Sequence, residues 1–181
     1  SSIGGECERA IQFEYAGAAR EKDFDPKTLR KFDFGHLSEE WARFNFKNAG
    51  FTLVQRSPKT GALYTFSQLD GRFKGTPDGV FLDGPDAAGL TYPRLWEHKG
   101  VGHKTFNEVI RLGLKKARRT YYTQAMTYMA YLGMAENPAT FTMTNLDTGE
   151  QAHLTLPFDA EEAQWATDRA VRIVTNTADG V

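Results

Sequence analysis

Asp78 in GTPDGVF (75–81) and Glu97 and Lys99 in LWEHKG (95–100) are side chains suited to acid, base or metal chemistry, and about twenty residues separate them. A glycine-flanked Pro-Asp is most often a turn, so Asp78 alone says little. The later pair says more. Residues alternate faces along a strand, so Glu97 and Lys99 point one way and His98 the other. If the two stretches are neighbouring strands, Asp78 comes close to both. Two carboxylates forced together repel, and each pKa rises unless a cation lies between them. Oxygen ligands of this kind suit hard divalent ions such as Mg²⁺ or Mn²⁺. A lysine beside them can orient or deprotonate a metal-bound water, or offset charge developing on a phosphate.

The elements that must position these groups follow from texture. SSIGGECERAIQFEYAG has apolar residues at helical spacing and predicts a first helix. EKDFDPKTLRKFDFG, broken by Pro26, reads as a surface connection. HLSEEWARFNFKNAG predicts a second helix with Leu37, Trp41, Phe44 and Asn48 on one side and Gly50 as its stop. From Phe51 short runs rich in β-branched and aromatic residues (FTLVQRS, ALYTFSQ, GRFKGTPDGVF, YPRLWEHKG) alternate with turn signals, as in a meander of strands. Two helical stretches follow from His103, then a hairpin around DTGE and a last helix opened by Asp159 with Glu162 three residues on. The order predicts one α/β domain over 1–181, a central mixed sheet flanked by helices.

Composition narrows the classes. The chain is 40% hydrophobic, and no apolar run approaches the roughly 20 residues that span a bilayer. The first residues lack a signal peptide's apolar stretch, and they lack an initiator methionine, as in a processed chain or a fragment. A single cysteine, Cys7, excludes an intrachain disulfide and suits a reducing, cytosolic setting; it is expected as buried packing. Between Arg94 and Arg119 the net charge is +6, against −7 elsewhere, so a positive stripe is expected to meet a polyanion at one place.

Pro77-Asp78 followed by Glu97-His98-Lys99 resembles the PD-(D/E)XK nuclease signature. QAMTY (124–128) resembles the QxxxY motif of its RecB-like and phage exonuclease branch, with Gln124 and Tyr128 on one helical face. FGHLSEEW resembles the helix that precedes the PD strand and supplies a further metal contact. His36 is favoured there, Glu40 is the alternative, and Glu39 lies next door. The resemblance spans Cys7 to Tyr128 in order. It departs at Gly100, where many relatives carry threonine or serine, and the cysteines of an iron–sulfur cluster are missing.

The resemblance implies a restriction-endonuclease-like core and a catalytic set of Asp78, Glu97 and Lys99. One or two Mg²⁺ or Mn²⁺ ions would be held by Asp78, Glu97, the backbone carbonyl of His98, and His36 or Glu40. DNA would be contacted by Gln124, Tyr128 and one of Tyr121 and Tyr122, with Lys104, Lys115, Lys116, Arg118 and Arg119 on phosphates. The implied activity is hydrolysis of DNA at linear duplex or single-stranded ends, an exonuclease rather than an endonuclease, in phage-type recombination, repair or replication. The setting would be the cytoplasm of a bacterial or phage-infected cell, with self-association or a recombination partner supplying what guides the DNA end. The alternatives are an inactive nucleic-acid-binding module of the same fold and a structure- or sequence-specific endonuclease.

Overall fold

Apolar residues on both faces of the central strands call for helices above and below them, and the computed structural model, which describes residues 3–17 and 24–178, supplies both layers. Strands β1 (Thr52–Val54), β4 (Gly79–Asp83), β5 (Arg94–Val101), β6 (Ala139–Asn145) and β7 (Gln151–Leu156) form a five-stranded sheet in the order β1-β4-β5-β6-β7. Only β5 and β6 run parallel; the other pairs are antiparallel. The mixed sheet flanked by helices is thus present. The meander is not continuous. GRFKGTPDGVF splits, because β3 (Phe73–Gly75) pairs with β2 (Phe66–Gln68) in a separate hairpin, while β4 joins the main sheet.

Val80, Leu95, Phe141 and Met143 bury one face against α3 (His103–Leu112), α4 (Leu114–Ala117), α5 (Arg119–Tyr131) and α6 (Ala160–Ala178). On the other face Leu53, Phe81 and Trp96 meet Ala42 and Phe46 of α2 (Pro26–Asn48). The first helix, α1 (Glu8–Tyr15), packs on α6. Cys7 is exposed, not buried, and its sulfur caps α1 by accepting from the Ala10 N–H. No helix among the described residues is long and apolar enough to cross a membrane.

The largest departure from expectation is α2, which begins ten residues early. Pro26 opens the helix, at a position whose N–H would be unpaired anyway, and Asp25 caps it by accepting from the N–H groups of Lys27 (2.8 Å) and Thr28 (2.9 Å). Its sheet-facing side is small along Gly35, Ser38 and Ala42, with Ser38 and Ala42 buried, and ends in Phe46. Leu37, Trp41 and Phe44 lie on the side turned to solvent.

Candidate active site

Gly79 of β4 pairs with Trp96 of β5, which sets Asp78 beside Glu97. The two acids cross-link the strand ends. The Asp78 N–H donates to Glu97 Oε1 (3.3 Å), and the His98 N–H donates to Asp78 Oδ2 (2.7 Å). Between them stands the Lys99 ammonium, which donates to Asp78 Oδ2 (3.5 Å), Glu97 Oε2 (3.2 Å) and the His98 carbonyl (2.8 Å). The three oxygens expected to hold a divalent ion therefore converge on one positive charge. This donor set, two carboxylates and a carbonyl, fits a hard cation in kind. Among the described residues, no cluster of three or more histidine, cysteine or acidic side chains could hold a metal ion.

Glu97 is 1% exposed, and burial pushes its carboxyl up to about 8; Asp78 pushes the same way, and Lys99 only partly opposes. Burial would lower Lys99, but Glu97 and Asp78 outweigh it and hold the ammonium above the ordinary lysine range. The Lys99 ammonium thus keeps its proton as long as both acids face it.

Asp78, His98, Lys99 and Gly100 line an open cavity of about 290 Å³, completed from α2 by Lys31, Phe32, Gly35, His36 and Glu39. His36 is on this wall and exposed; Glu40 is not on it. The acid that α2 presents is Glu39. Burial and then the charge of Asp78 raise its pKa, and Arg43 holds it through an ion pair (2.5 Å). Arg43 also donates to the Asp78 carbonyl (2.9 Å), so one α2 side chain fixes the main chain of the PD turn. Arg43 escaped the sequence reading. The available signal was the small-residue series Gly35, Ser38, Ala42, which marks the face pressed on the sheet and puts Glu39 and Arg43 at its margin.

His98 points the other way, as strand alternation requires. Its ring meets Ser38 Oγ (3.2 Å) and Thr142 Oγ1 (2.8 Å), and burial lowers its pKa to about 3, so it stays neutral. Gly100 has a steric cause. A Cβ there would lie 2.5 Å from Ser38 Oγ and 3.2 Å from the Gly35 Cα.

Tyr121 lies under Lys99 (5.9 Å to the ring), whereas Tyr122 donates to Asp159 (3.1 Å) away from the cavity. Gln124 donates to the Tyr128 hydroxyl (3.0 Å), pairing the two within the motif. Tyr128 is buried, and desolvation, followed by the charge of Glu97, raises its pKa to about 12. Gly75 permits this placement, because a Cβ there would sit 2.4 Å from Tyr128 Cε1. Gly75→Ala is expected to cost about 1–3 kcal/mol by overpacking, read as a lower urea midpoint. An unchanged midpoint would mean that the ring moves freely.

Part of the basic stripe is paired with acids, two of them from the last helix and its cap and one from within the stripe. Lys115 pairs with Asp159 (2.7 Å), Arg118 with Glu108 (2.9 Å) and Arg119 with Glu162 (2.8 Å), while Arg94 is buried in β5. Lys104 and Lys116 are exposed and make no ion pair among the described residues.

Compared with known proteins, the chain matches no family model and no curated sequence. The chemistry is therefore read from the geometry of the Asp78–Glu97–Lys99 trio and its cavity.

Proposed function

We propose that the chain is a metal-dependent DNA nuclease of the PD-(D/E)XK type, hydrolysing phosphodiester bonds, with exonuclease action on DNA ends favoured. The observation that carries this reading is the convergence of Asp78, Glu97 and the His98 carbonyl on one cation at the wall of an open cavity. Asp78, Glu97 and that carbonyl would hold Mg²⁺ or Mn²⁺, with His36 or Glu39 reaching in from α2. The ion, when bound, would polarise the scissile phosphate and acidify the attacking water.

The residues of the chain do the rest. Lys99, on a flexible stem facing the cavity, would donate to the phosphate oxygens as charge builds on them. Arg43 and the β4–β5 cross-links keep Asp78 in place through turnover. Lys31 on the cavity wall adds attraction for the DNA backbone. Tyr121 offers a ring beside the trio for a base freed from its stack.

The test is end-labelled linear duplex, single-stranded DNA and closed circular duplex, each incubated with Mg²⁺ or Mn²⁺. Loss of the linear forms with the circle intact is expected. Cutting of the circle would make the chain an endonuclease. Survival of all three substrates with both metals would refute the enzyme reading, and retained DNA binding would then favour the inactive module.

A further inference from the structure

The exposed side of α2 carries Phe34, Leu37, Trp41 and Phe44, which are 60%, 57%, 49% and 61% exposed. With Asn48 their spacing alternates three and four residues, the repeat of a seam between two helices, not of a face that packs on a sheet. The stripe runs about 15 Å along the helix. We infer that it is a dimer interface, on which α2 of a second copy of this chain packs antiparallel.

Charge selects both the occupant and its direction. Asp33, Glu40 and Lys47 flank the stripe along one edge, each preceding an alternate position of the repeat. In an antiparallel pair Phe34 meets Phe44 of the second copy, and Leu37 meets Trp41. Asp33 then faces Lys47 of the second copy, and by symmetry the pair forms twice. Glu40 meets its own counterpart at the two-fold axis, the single unfavourable contact. A parallel pair would leave Asp33 and Lys47 without each other.

Area agrees with a modest interface. Half-exposed side chains of this size offer about 100 Å² each. The four therefore supply roughly half of the about 800 Å² that each partner contributes to a standard interface. The flanking residues must add the remainder. The acids beside the stripe argue against DNA as the occupant, since they would repel phosphate.

Sedimentation equilibrium of the intact chain over a wide concentration range tests this. The wild type should pass from monomer to dimer. Phe44→Glu should shift the dissociation constant upward at least about tenfold, with the thermal midpoint unchanged at concentrations where both proteins are monomeric, because the position faces solvent in the monomer. Asp33→Lys and Lys47→Asp should each weaken the dimer about tenfold, and the double reversal should recover it. Glu40→Gln, by removing the repulsion on the axis, should tighten it. A chain that stays monomeric throughout, a dimer indifferent to Phe44→Glu, or a double reversal without recovery would overturn the inference. A monomer that loses DNA affinity in Phe44→Glu would overturn it too, and would assign the stripe to nucleic acid.

Discussion

Lys99→Ala is expected to slow DNA hydrolysis at least about a thousandfold, the combined scale of a lost phosphate-stabilising donor and a disturbed acid pair. Without the ammonium, Asp78 and Glu97 face each other with no counter-charge, and Glu97, already pushed up to about 8 by burial, is driven further toward its neutral form. The variant therefore loses a phosphate donor and makes Glu97 harder to ionise as an oxygen ligand in one change. Asp78→Asn separates the two effects. Its amide oxygen can still accept from the His98 N–H, so the strand cross-link survives while the charge is gone. Both variants should melt within a few degrees of the wild type in the presence of EDTA, and both should be inactive with Mn²⁺. Cleavage by Lys99→Ala within tenfold of the wild-type rate would remove the lysine from the mechanism.

Glu162→Ala should be the most destabilising of the conservative truncations, by about 3 kcal/mol. The Glu162 side chain is 3% exposed, pairs with Arg119 and accepts from the Thr123 hydroxyl (2.6 Å), tying α6 to α5, the helix that carries Gln124 and Tyr128. Truncation leaves Thr123 buried without its acceptor and Arg119 without its carboxylate; the half-exposed guanidinium, which keeps its place over the Trp165 ring, holds the cost at the lower end of the range for buried pairs. Burial raises the Glu162 pKa, but the Arg119 and Thr123 hydrogen bonds outweigh it and the net direction is down. A group whose folded pKa lies below its unfolded value stabilises above the unfolded pKa and loses that contribution as pH falls through the folded one. Urea midpoints of the wild type should thus drop more steeply below about pH 4 than those of Glu162→Gln. Parallel acid slopes, or a loss under 1 kcal/mol in Glu162→Ala, would show the network to be marginal.

Local rules made some of this legible and hid the rest. Strand alternation suffices to put Glu97 and Lys99 on one side and His98 on the other, and the turn signals between Gly84 and Pro93 suffice to bring the two strands back together. Nothing local reports that Lys115 and Arg119 meet acids more than forty residues away, so a run of cations in sequence looked like a free surface. At Pro26 two rules compete, helix breaker and first helical residue, and Asp25 immediately before it decides for the second. The stripe on α2 shows the limit of periodicity, which finds an apolar side but not what that side faces. Ser38 and Ala42, the poorest in apolar area, are the residues buried.

The packing of Gly100 under Ser38 and Gly35 carries a consequence for divergence. The helix hydroxyl stands where a strand hydroxyl after the lysine would stand, and it already serves the His98 ring. Two positions distant in sequence, 38 and 100, thus share a single slot. Homologues that place serine or threonine after the lysine must give up the hydroxyl on the helix or lift the helix from the sheet. The identities at 38 and 100 should then change as a pair, each lineage keeping one hydroxyl between them.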